Sequence, residues 1–133
     1  MSLRIVQLGK PRAADEGLRL GTVRRPPRGV PKAEFSSRDF YDVWLPTLSP
    51  SAELMTLGLS AQSTGDMKDW TAFAKKFRAE IAASQDALHL LDLLAALSKQ
   101  TNFSLGCYCD DEHRCHRSVL RTLLTERGAK IAA

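Results

Sequence analysis

Phe103-Ser104-Leu105-Gly106-Cys107-Tyr108-Cys109, then Asp110-Asp111-Glu112-His113-Arg114, then Cys115-His116-Arg117-Ser118: this stretch decides how the chain is read. Phe103 to Cys109 has the composition of a strand. Asp110 to Arg114 is a short polar turn. From His116 to Arg127 the residues Val119, Leu120, Leu123 and Leu124 recur at helical spacing, and Gly128 is placed to stop the helix. Strand, short turn and helix is the unit from which α/β domains are assembled. In such folds ligands gather beyond the carboxyl ends of strands, where helix N-termini point. Cys109 at the strand's end and His116 at the helix's start therefore occupy the position at which an α/β domain carries its chemistry.

Working outward, helices precede this unit. Asp66 is placed to cap a helix running to about Ala83, with Met67, Trp70, Phe73, Phe77 and Ile81 on one face. Ser84 or Asp86 opens another through about Lys99, with Leu88, Leu91, Leu94, Ala95 and Leu97 inward. These stripes are core, and His89 among them is structural. Gln62 to Gly65 is a polar break, and Ser49-Pro50 reads as N-cap and first residue of an earlier helix. Nearer the start, Leu3 to Leu8 and Leu18 to Arg25 read as strands, Phe40 to Leu48 as a third, and Ala129 to Ala132 as a last short one. Pro26-Pro27-Arg28-Gly29-Val30-Pro31-Lys32 is a loop stiffened by its prolines. The expected fold is a small three-layer α/β domain, its mostly parallel sheet flanked by helices, with residues 1–133 forming a single domain.

The whole chain sets further bounds. A length of 133 residues and an apolar fraction of 44% fit a globular domain that needs no disulfide to fold. The three cysteines cluster late, which speaks for free thiols rather than a secreted disulfide framework. No apolar run approaches the ~20 residues of a membrane span, and the start has no long apolar signal-like region. The expectation is a cytoplasmic protein with no membrane partner. Residues 1–38 hold nine Lys/Arg against three Asp/Glu, a net of +6, while the other 95 hold ten against twelve. This asymmetry points to a basic surface made by the first third of the chain, suited to phosphate groups.

Four chemistries are open at residues 107–118. The first turn of the last helix offers unpaired N–H groups to an anion, with Arg117, His116 and Ser118 as side-chain donors. Cysteine catalysis is a second, because a thiol at a helix N-terminus is activated; Cys109, Cys115 and His116 are the candidates. The cysteine-phosphatase spacing of Cys, five residues, Arg ends on His113 from Cys107 and on Cys115 from Cys109; from Cys115 it reaches Arg121, already inside the helix, which is wrong for that enzyme class. Third, Cys107, Cys109, His113, Cys115 and His116 are zinc-type ligands, but paired Cys-x₂₋₄-Cys/His spacing is missing, so no metal is expected. The fourth is a purely structural role.

The same residues carry a family resemblance. Cys109, an acidic turn and Cys115-His116-Arg117-Ser118 resemble the Cys…Cys-His-Arg-Ser block of the domain-of-unknown-function 488 family. Arg24 and Pro27-Arg28-Gly29-Val30-Pro31-Lys32 resemble its Arg…Pro-Arg-Gly-Leu-Ser-Lys loop. The stretches Trp44-Leu45…Leu48-Ser49-Pro50-Ser51 and Trp70…Phe73…Phe77-Arg78-Ala79-Glu80 are similar to its YeaO-like branch. Val23 stands where that family usually has an acidic residue, and Pro26 where it has Trp. The resemblance implies a small three-layer α/β fold and a site, not a reaction.

The leading expectation is a phosphate-bearing small molecule or nucleotide bound at the strand-to-helix junction. His116, Arg117 and Ser118 would hold it, and Arg24 and Arg28 would close over it. One alternative is a thiol redox or metal-binding module using Cys109 and Cys115. Another is a non-catalytic nucleic-acid-binding accessory with weak, salt-sensitive affinity. No glycine-rich cofactor loop is present, and no cofactor is expected.

Overall fold

Alternation along the short apolar segments builds a sheet with two unlike faces. The computed structural model describes residues 1–132. Its strands are β1 (Leu3–Gln7), β2 (Leu18–Gly21), β3 (Val43–Trp44) and β4 (Phe103–Cys107), all parallel and in the order β1-β4-β2-β3. The last strand in sequence is thus interior, hydrogen-bonded on both sides, and all five of its residues are buried. That explains its unbroken apolar run. Leu3 and Leu18 flank Phe103, and Leu20 pairs with Leu105, so these side chains share one face.

Four helices cover that face. They are α1 (Ala52–Thr64), α2 (Met67–Ala82), α3 (Gln85–Leu97) and α4 (His116–Glu126). Leu54, Phe73, Phe77, Ile81, Leu91, Leu120 and Leu124 pack with Leu3, Leu20, Phe103 and Leu105 in one core. Side-chain oxygens cap the first three helices: Ser51 accepts from the Leu54 N–H, Asp66 from Lys68 and Ser84 from Ala87. In contrast, α4 has Cys115 at its N-cap and no side-chain cap hydrogen bond.

Loops and 3-10 turns close the other face around Arg19. Its guanidinium donates to both Glu16 carboxylate oxygens at 2.7 and 2.9 Å and to the carbonyls of Lys10 and Asp39. The Ser104 hydroxyl donates to Glu16 from the central strand. Two glycines permit this close covering. A Cβ on Gly21 would lie 2.4 Å from the Tyr41 ring, and one on Gly106 would lie 2.5 Å from a Leu8 methyl.

Several boundaries differ from the sequence reading. The third strand is only two residues long, because Pro46 to Leu48 forms a 3-10 turn. Ser49 donates its hydroxyl to the Pro46 carbonyl and closes that turn, so Ser51 takes the N-cap role. The segment around Gln62 stays helical until Gly65, whose φ of 67° ends α1; polarity alone does not break a helix. Met67 and Leu97, at the stripe ends, are exposed. Near the C-terminus Ile131 forms a single parallel bridge to Leu3. Among the described residues no helix is long and apolar enough to cross a membrane.

Candidate functional site: a three-cysteine cluster

Because the sheet is parallel, the ends of β1, β4 and β2 deliver Leu8, Cys107 and Thr22 to one rim, which the start of α4 faces. There the Sγ atoms of Cys107, Cys109 and Cys115 all lie within 4.8 Å of one another, and Cys107 and Cys109 are 3.8 Å apart. Cys107 and Cys115 are buried, Cys109 is partly exposed, and all three are free thiols. The Cys115 thiol is driven well below the ordinary thiol range. Hydrogen bonds from Cys107 and Cys109 are the main cause, and the Arg117 charge adds to them against burial. The Cys107 thiol is pushed the other way by the same two partners and by burial.

His116 and Arg117 hold this cluster from beneath. Arg117 is 3% exposed and uses its whole fork: Nη1 donates to the Val6 carbonyl at 2.6 Å, Nη2 to the Cys109 carbonyl at 2.6 Å, and Nε to Cys115 Sγ at 3.4 Å. It ties the ends of β1 and β4 to the start of α4. The ring of His116 is buried edge-on against Phe77, with Nε2 2.6 Å from the Thr22 carbonyl. A carbonyl only accepts, so Nε2 carries the proton and Nδ1 has a bare lone pair. Burial lowers the pKa of this imidazole to about 4, which keeps it neutral. Nδ1 lies 3.7 Å from Cys115 Sγ.

The remaining site residues expected from sequence are placed as follows. Ser118 donates its hydroxyl to the Cys115 carbonyl, so three of the five expected anion holders have donors engaged with backbone. Arg24 and Arg28 are exposed. Their loop is pinned at the same sheet end: the Tyr108 hydroxyl donates to the Arg25 carbonyl at 2.8 Å and Trp44 Nε1 to the Val23 carbonyl at 2.7 Å. Arg4, Arg12, Arg19 and Arg38 are ion-paired, whereas no carboxylate pairs with Arg24, Arg25, Arg28 or Lys32 among the described residues. His113 is exposed and outside the sulfur cluster.

Three features were not legible beforehand. Gln62, on α1, donates to Cys109 Sγ at 3.3 Å and to the Arg114 carbonyl at 2.6 Å. It also borders a narrow cleft of about 30 Å³ between α1 and α2, walled by Met55, Leu59, Trp70 and Phe73 and floored by Cys107, Cys109 and His116. That space suits about two water-sized atoms. The third is Tyr41, which packs with Cys107 and Cys115; its hydroxyl is the one buried side-chain polar atom without a partner among the described residues. A single chain offers no signal for contacts across about 50 or more residues.

No curated protein and no solved structure matches the chain. A family model described as the active DUF488-N3 subclade matches residues 3–128, almost the whole length that builds the sheet, the helices and the cluster, and the chain belongs to the DUF488 family.

Proposed function

We propose that the protein works as a thiol redox centre, with Cys109 as the sulfur that meets the oxidant and Cys115 as the sulfur that resolves it. The carrying observation is the three sulfurs within 4.8 Å at the floor of a cleft, with Cys109 the one partly exposed. The cleft's size suits hydrogen peroxide. The Cys109 thiolate attacks the peroxide O–O bond, giving Cys109–SOH and hydroxide. Cys115, whose thiolate is held by the Arg117 N–H, then attacks that sulfur and releases a second hydroxide. Two external thiols return the disulfide to the reduced state and leave as their own disulfide.

Treatment of the reduced chain with hydrogen peroxide should remove two hydrogens and join the Cys109 and Cys115 peptides, as read by mass spectrometry. Cys115→Ser should stall at the Cys109 sulfenic acid, trapped by dimedone. Three unmodified thiols after peroxide exposure would sink the reading.

A second reading is supported by the unpaired Arg24, Arg25, Arg28 and Lys32 on the pinned loop. Their charge suits a phosphate-bearing small molecule, nucleotide or nucleic-acid end at the same rim, held by the loop rather than by His116, Arg117 and Ser118. Inorganic phosphate should then raise the melting temperature by linkage. Added sodium chloride and the double substitution Arg24→Ala, Arg28→Ala should each erase the rise. A rise unchanged in the double variant would remove the loop from consideration.

A further inference from the structure

Arg117 is a buried, permanently charged group without a carboxylate partner among the described residues; its donors reach two carbonyls and Cys115 Sγ. A buried guanidinium needs a counter-charge, and the sulfur cluster is the group in contact that can supply it. Three ionised sulfurs would carry three negative charges in a buried place. A divalent cation among them leaves one, which matches Arg117.

The distances agree with that count. Zinc–thiolate bonds of about 2.3 Å put tetrahedral sulfurs about 3.8 Å apart. Cys107 and Cys109 Sγ are 3.8 Å apart, and the other pairs lie within 4.8 Å, so closing the set needs sulfur shifts of less than about 1 Å. His116 sets Nδ1 3.7 Å from Cys115 Sγ, while Nε2–H is fixed on the Thr22 carbonyl, so the ring supports Cys115 from beneath. The Arg117 Nε–H to Cys115 Sγ contact is the matching second support. Partly exposed Cys109 and the cleft provide the entry path.

We infer that Cys107, Cys109 and Cys115 bind one soft divalent ion of the zinc type; His116 stands outside the group whose ligand atoms all lie within 4.8 Å of one another. The donor set excludes magnesium and calcium, which take oxygen ligands. This deepens the thiol reading and rests on its assignment of the three reduced sulfurs as the working centre. A Cys109–Cys115 disulfide would remove two ligands, so oxidation would release the ion.

The test uses the reduced, metal-free full chain and cobalt(II) as probe. Cobalt should give the visible bands of tetrahedral thiolate coordination, saturating at one ion per chain, and zinc should bleach them. Zinc should also protect the three thiols from iodoacetamide. Cys109→Ser, which alters the least buried ligand, should weaken cobalt binding at least about tenfold with the fold intact by circular dichroism. Absence of the bands together with unchanged alkylation in zinc overturns the inference. Peroxide oxidation of the same metal-free sample separates the two claims. A disulfide without metal binding ends the inference and leaves the thiol reading; metal binding without a disulfide upholds the site and ends the redox step.

Discussion

Arg117→Ala should lower folding stability by about 3–5 kcal/mol, the usual cost of breaking a buried charged network. For a chain of this size that is a fall of roughly 10–20 °C in melting temperature. The side chain makes two charge-assisted hydrogen bonds of 2.6 Å to carbonyls at the ends of β1 and beyond β4, and a third contact to Cys115 Sγ. Alanine strips both part-buried carbonyls of this donor and removes the charge opposite the sulfurs. Arg117→Lys should recover only part of the loss, because one ammonium cannot span a fork that reaches two strands. Urea unfolding of the three proteins in reducing buffer measures this. If Arg117→Ala unfolds within ~0.5 kcal/mol of the parent, a surface-like cost, the guanidinium is not the tie described here.

Glu16→Ala should cost a similar amount, about 3–5 kcal/mol, on the opposite face of the sheet. Arg19 and Glu16 are an ion pair with side chains 1% and 3% exposed. Removing the carboxylate leaves a guanidinium in the interior with only the Lys10 and Asp39 carbonyls, and strips the Ser104 hydroxyl of its acceptor. The double substitution Glu16→Leu, Arg19→Met should be less harmful than Glu16→Ala alone, since no charge is left buried. A double variant at least as unstable as the single one would show that shape, not charge, governs this layer. Burial alone would raise the Glu16 carboxyl, but hydrogen bonds from Arg19 and Ser104 outweigh it and hold the pKa below the ordinary value. The stabilisation is therefore present above about pH 4, the unfolded carboxylate range, and is lost as pH falls through the lowered folded value. Glu16→Ala should flatten that part of the stability curve.

The two networks show where local reading stops. The 103–118 unit announces itself because its pattern is local: β-favouring residues, a polar turn, then helical spacing. The helical stripe holding Phe73, Phe77 and Ile81 and the caps Asp66 and Ser84 are legible for the same reason. So was the cysteine crowding, since Cys107, Cys109, Cys115 and His116 all lie within ten residues of chain. The basic excess of residues 1–38 was visible as well, but not its division. Folding spends Arg4, Arg12, Arg19 and Arg38 on carboxylates and leaves Arg24, Arg25, Arg28 and Lys32 unpaired.

What the sequence by itself determined is the α/β class, most of the helices and the stretch of chain where the sulfurs stand. Those follow from periodicity and capping, which act over a few residues. Only the tertiary structure decided that Arg117 and His116 point inward, that Cys107 joins Cys109 and Cys115, and that Gln62 and Tyr41 border the site. These depend on strand order: placing β4 between β1 and β2 brings the Val6 and Thr22 carbonyls, some 90 to 110 residues away in sequence, within 2.6 Å of Arg117 and His116. No local preference encodes that meeting, because burial of a charged side chain is stabilised by partners that the fold assembles from distant strands.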